Sequence, residues 1–330
     1  MNKLLFIASI LAALVLLCVE NLVGIHWDFH PDAVTYTSTS FEMVDNLIDA
    51  GLIASFNNFY YFFATLLQQN VILLVALNII VYAFTNVSIY NYVNKVVCKN
   101  NIAFDVKLII FLACLLFMPY RLHLAVHVLK DTLIIFFLIN LLSTNKVNLF
   151  ISVFFLAGLR LFSFAYMSIF IKRKYFYIGA FFACLVAIYS SQEIITLIEN
   201  TNEVDMNFRE FDLVPNFTVY GIFGTLLRAI VWPIFAFTGA YLFISPSIAF
   251  VPLAIGSMAI CIITWWAYKK PAVNLQALIV FGLVAVLTTG FTTYIRYCFP
   301  LLVLVPLLQF KAFAVEESLR CKMNLKQNNL

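Results

Sequence analysis

The opening stretch MNKLLFIASILAALVLLCVEN (residues 1–21) decides the class of fold. It has the outline of a secretory leader, but it lacks a small-x-small cleavage site. Cys18 follows Leu17, where a lipoprotein site would need a small residue. The stretch is therefore read as an uncleaved first helix, long enough to cross a bilayer core of about 30 Å. Similar apolar runs recur along the chain. Of its 330 residues 64% are hydrophobic and 11% charged, against about 25% charged in soluble domains. The mean hydropathy is +0.98. No globular core can bury that much apolar surface. An outer-membrane barrel is excluded because its strands would alternate polar and apolar residues. The expected fold is all-α, a polytopic bundle of transmembrane helices forming one integral domain over residues 1–330.

About 10 membrane segments are expected from the run lengths. They lie near 3–23, 71–93, 104–119, 131–143, 148–159, 160–171, 175–190, 247–268, 272–290 and 298–312. The pair 148–171 is read as two short helices in a hairpin with Arg160 at its turn. With both termini cytoplasmic, the positive-inside rule leaves only six of the 20 Lys and Arg residues outside. These are Arg121, Lys130, Arg160, Arg209, Arg228 and Arg296. Eleven of the 16 acids fall on the outer side, in loops at about 24–70 and 190–246, and a cytoplasmic tail occupies about 313–330. Residues 42–68 read as an amphipathic helix on the outer interface, and 217–243, carrying Pro233, look similar and either lie in that interface or dip into the membrane and return.

Directly behind the first helix stands GIHWDFHPDAVTYTSTS (24–40). Pro31 biases His30 away from helical geometry, so the stretch is read as loop. Asp32, Asp28 and His30 are candidate catalytic groups, because a carboxylate at the membrane surface can act as a general base. The plain alternative is a solvated loop in which Asp32 caps the next turn. In PYRLHLAVHVLKDTLIIFF (119–137), His123, His127, Lys130 and Asp131 stand at i, i+4, i+7 and i+8, a spacing that puts all four on one face of a helix. Charged groups there are expected to line a polar cavity, or Lys130 snorkels to the interface with Asp131 as its partner. Two histidines without further ligands and without HExxH assign no metal, and no cofactor is expected. Seven scattered cysteines, none in a CxxC pair, read as apolar side chains.

Arg160, in LAGLRLFSFAY, is a costly residue for a hydrophobic run and a candidate site on that ground. Arg209 sits among acids and suits a solvated ion pair, whereas Arg228 lies in an aromatic stretch that suits a buried anion. Tyr294, Arg296 and Tyr297 are expected at the outer end of a spanning helix, with Pro300 opening the next. As plain alternatives, Arg160 is an interfacial anchor and the last group is an aromatic belt. Lys130, Arg160, Arg228 and Arg296 suit a phosphate or diphosphate. His127, Asp131 and Tyr297 would complete the substrate contacts. Side and composition exclude nucleic acid, and no phosphate-binding GxxxxGK[ST] loop is present.

These motifs resemble a known family. HPDAVTY (30–36) is similar to the HPDE motif of some C-type (GT-C) glycosyltransferases, with Ala33 in place of the second acid. LKDTLIIFFLI (129–139), LAGLRLFSF (156–164) and YIRYCFPLLVLVPLL (294–308) resemble motifs of bacterial repeat-unit polymerases. The resemblance implies O-antigen or capsular polysaccharide polymerisation at the periplasmic face of a bacterial inner membrane. Glycan would pass from undecaprenyl diphosphate to an acceptor sugar. The implied partners are the lipid-linked oligosaccharide, membrane lipids, a chain-length regulator and a flippase. Other readings stay open: a GT-C enzyme adding one sugar from a polyprenyl phosphate, a lipid-linked oligosaccharide flippase, or an acyltransferase using His123 or His127.

Overall fold

The structure is a computed structural model that describes residues 2–38, 59–143, 145–160, 163–189, 217, 220–240, 251–288 and 290–327. Among the described residues the regular structure is entirely helical. Among the described residues four helical runs are long and apolar enough to cross a membrane: Asn2–Leu22, Val71–Asn100, Val106–Val126 and Thr293–Cys321. Five shorter apolar helices accompany them. The acids of the second outer loop, Arg209, and residues 42–58 of the first lie outside the described residues.

The chain gathers into two compact units. Residues 1–164 with 310–330 form one, and residues 165–309 the other. In the first unit, α1 (Asn2–Leu22) lies against α4 (Val71–Asn100) and α6 (Pro119–Val126). Its buried positions are Ser9, Ala13 and Glu20. Its outward side chains include Leu4, Ile7, Leu11 and Val15, with Leu4 73% exposed. Polar groups inside and large apolar groups outside invert the soluble pattern and suit a helix whose solvent is lipid.

Caps set several helix boundaries. The Asn70 side chain accepts from the Ile72 and Leu73 amides at the start of α4. Asp105 accepts from the Leu108 amide, 2.9 Å away, to open α5 (Val106–Leu116). Such caps satisfy amides that have no partner within the helix. The α4 helix ends at Asn101, whose φ of 52° places it in the left-handed region.

The segment expected as one helix face around 123–131 is broken. The α6 helix stops at Val126, His127 is extended, and α7 (Asp131–Asn140) begins anew. A helix of 10 residues is roughly 15 Å long, about half of a bilayer core. A break among apolar helices needs partners for the freed carbonyls. Asn78 of α4 donates to the carbonyls of His127 (2.7 Å) and Leu129 (2.9 Å). The Thr132 hydroxyl donates to the Leu124 carbonyl. Arg121 does the same for the end of α5, donating to Leu115 O at 2.6 Å and to Asn86 Oδ1 at 2.9 Å. Arg121 is thus a buried cap, and Asn86 in turn donates to Ser9 of α1.

The α8 helix (Lys146–Leu159) ends at Arg160, where the sequence suggested a turn. Beyond it, the described residues 163–170 of the expected second short helix are helical, but not as one regular α-helix. They form a five-residue α9 (Ser163–Met167) and a 3-10 turn. Gly158 of α8 is required by close approach: a Cβ there would overlap the Phe59 ring of α3 (Phe59–Leu66). Alanine inside a helix ordinarily gains about 1 kcal/mol over glycine. Here Gly158→Ala is expected to cost about 1–3 kcal/mol through overpacking, read as a lower melting temperature in detergent.

In the second unit α11 (Gly221–Thr238) packs against α12 (Val251–Tyr268) and α13 (Leu275–Leu287), and α10 (Arg173–Tyr189) packs on α13. Pro233 removes the amide that would have bonded the Ala229 carbonyl. A Cβ on Gly282 of α13 would stand 3.2 Å from that oxygen, so glycine permits the approach. Pro300 does not open a new helix. It lies inside α14 (Phe291–Gln327), as does Pro306. Interior proline costs about 3 kcal/mol in isolation. Here Leu301 through Val305 and Leu307 are buried, and this packing holds the helix continuous.

Candidate functional site

The His-Pro-Asp loop folds back onto α6. Residues after His30 are helical rather than loop: Pro31 opens α2 (Pro31–Ser38), with Asp32 in the first turn. Proline is favoured at that first position, because the amide it lacks would have no helical partner there. A carboxylate in the first turn also suits the positive end of the helix dipole. Tyr36 of α2 lies edge-on to Tyr60 and Tyr61 of α3, at centroid distances of 4.5 and 5.1 Å. Burial, and then the Asp32 negative charge, push the Tyr61 phenol above its ordinary range. Asp28 is exposed in the turn before it.

His30 lies in a bend before the proline and is half-buried. Its Nε2 lies 2.9 Å from Nε2 of His123. His123 and His127 both turn toward Glu20 near the end of α1. His123 Nδ1 is 2.8 Å from Oε1, and His127 Nε2 is 3.0 Å from Oε2. An ionised carboxylate only accepts, so each of those nitrogens carries its proton. A neutral His123 then presents a lone pair at Nε2, and the His30 Nε2–H donates to it. A neutral His127 presents its lone pair at Nδ1, which has no hydrogen-bond partner although the residue is 1% exposed. The rings of His123 and His127 lie 4.4 Å apart, and Phe29 covers the group edge-on.

The break that follows carries the remaining charges of the first unit. Lys130 is buried, 9% exposed, as the residue before α7. Asp131 pairs with Arg160 at 2.8 Å, with exposures of 0% and 2%. The expected partner of Asp131 was its neighbour Lys130. The tertiary fold brings Asp131 the arginine from the end of α8, and the pair ties the start of α7 to the end of α8.

Arg228 stands in the second unit with partners other than the anion expected for it. Its Nε donates to the Ala285 carbonyl at 2.6 Å, and its Nη2 to the carbonyls of Val286 and Thr288. The guanidinium lies 4.2 Å from the Trp232 ring. These contacts make it a cap on the C-terminal end of α13. Arg296 and Tyr297 are half-buried in the first turns of α14, and the Tyr297 carbonyl accepts from the Tyr166 hydroxyl.

Of the residues singled out in the sequence, the fold brings His30, His123 and His127 together and places Asp131 on Arg160. Glu20 was missed. Its signal was present: a lone acid at the end of an apolar run of membrane-spanning length is a site by default. Asn78, which holds the break behind His127, gave the same weaker signal inside α4. Compared with models of protein families, with curated proteins and with solved structures, the chain matches none.

Proposed function

We propose that the chain polymerises lipid-linked oligosaccharide repeat units at the outer face of a bacterial inner membrane. In this reading the chain crosses the membrane in about 10 segments, with a GT-C-like arrangement and both termini cytoplasmic. The carrying observation is the contact between His30 and His123, 2.9 Å. Two motifs 93 residues apart, each singled out on sequence grounds, meet there, and the second of them runs on in sequence to Lys130 and Asp131.

The reaction breaks the bond between the anomeric carbon and the diphosphate and forms one from that carbon to an acceptor hydroxyl. The hydroxyl proton passes to Asp32, and undecaprenyl diphosphate leaves. Asp28 and His30, which precede Asp32 in the same stretch, are the groups that would serve in its place. Lys130 and Arg160 are the diphosphate contacts on which the proposal rests. Stabilising the leaving charge is the main catalytic effect, and losing one such contact costs roughly 100- to 1,000-fold in rate.

The test is surface glycan on a gel from a deletion strain, complemented with wild type or Asp32→Asn. The expected result is loss of the polymer ladder with one repeat unit retained, restored by wild type and not by Asp32→Asn. A ladder that persists with every unit short of one sugar would establish the single-sugar transferase instead. A normal ladder with Asp32→Asn would remove Asp32 from the mechanism.

A further inference from the structure

We infer that His30, His123 and His127 form a binding site for a divalent transition-metal ion of the zinc class, with Glu20 as the carboxylate that orients two of the rings. The inference goes beyond polymerisation and does not depend on it. Each ring offers one nitrogen, and the three lie within 4.8 Å of one another.

The donor set selects the ion. Imidazole suits zinc, cobalt, nickel and copper, whereas magnesium and calcium demand oxygen ligands. The carboxylate arrangement fits a ligand set as well. A metal-binding histidine characteristically donates its other ring N–H to a carboxylate, which fixes tautomer and orientation. Glu20 holds Nδ1 of His123 and Nε2 of His127 in this way. That leaves lone pairs at His123 Nε2 and at the buried, unpartnered His127 Nδ1.

His30 completes the set by moving its proton from Nε2 to Nδ1. Its 2.9 Å contact with His123 then opens to roughly 3.3 Å, the separation of two nitrogens at ~2.05 Å from a tetrahedral ion. Because His30 sits in a loop between α1 and α2, that adjustment needs no helix to move. Three protein ligands leave a fourth position for water or a substrate oxygen, the pattern of catalytic rather than structural zinc.

The test uses the whole chain in detergent, stripped with a chelator and then dialysed against zinc. Metal content by mass spectrometry is expected to be one zinc per chain. His30→Ala should lose it while eluting and melting as the wild type does, since His30 lies in a connection rather than a helix. Glu20→Gln should retain zinc roughly 10- to 100-fold more weakly. Cobalt substitution of the wild type needs no variant, and should give tetrahedral visible bands without thiolate charge transfer. Thiolate bands would assign the metal to the exposed cysteines, such as Cys18 or Cys321, and overturn the proposal. So would a wild type that retains no zinc, or a His30→Ala chain that retains it fully.

Discussion

Arg160→Ala is expected to destabilise the protein by about 3–5 kcal/mol, the cost of leaving a buried charge without its partner. Asp131 is fully buried, and its ion pair with Arg160 measures 2.8 Å. Asp131→Asn should cost a similar amount by stranding the arginine. The melting temperature of the purified chain in detergent measures both. Replacing the two together, as Asp131→Leu with Arg160→Met, should restore much of the loss, because apolar groups of similar volume often match a buried pair in stability. Surface glycan from the same strains then separates two roles. A double variant that melts normally but makes no ladder assigns the pair to the substrate. One that melts normally and polymerises normally confines it to holding α7 on α8. An Arg160→Ala chain as stable as wild type would show that the ion pair does not hold these helices.

Arg228→Met carries the second large effect. The substitution leaves the carbonyls of Ala285, Val286 and Thr288 without their guanidinium donor. Each unsatisfied buried group costs about 1–3 kcal/mol. The contact 4.2 Å from the Trp232 ring adds about 0.5–2 kcal/mol. Thermal unfolding should therefore shift well below wild type. Arg228→Lys should recover only part, since an ammonium cannot reproduce the planar fork of a guanidinium. A stable Arg228→Met chain that fails to polymerise would return this arginine to the diphosphate and remove it from the helix end.

The breaks in the helices were partly legible. Pro119 opens α6, and Arg160 ends α8, both at positions where polar or ring chemistry interrupts an apolar run. The break after Val126 was not. Residues 123–131 satisfy helical spacing, and spacing alone assumes continuous hydrogen bonding. Asn78, 49 residues from His127 in the chain, supplies the donor that makes the interruption affordable among apolar helices. Proline misled in the other direction at Pro300, because the chain on both sides of it is packed closely enough to keep α14 intact.

What the sequence determined by itself was the solvent and the menu. Long apolar runs with few charges dictate helices, because a backbone without water must bond to itself. The rare polar residues in those runs mark the places that need a reason, and His123, His127, Lys130, Asp131 and Arg160 all stand there. Only the tertiary structure decided who meets whom. Glu20 reaches His123 across 103 residues, and Asp131 pairs with Arg160 from the end of α8. In helices such as α7, nearly every side is apolar and buried, so no stripe announces which face turns inward. Partner choice there follows from the few buried polar groups. Each must find its complement wherever the fold brings one, because an unpaired polar group away from water is too costly to leave.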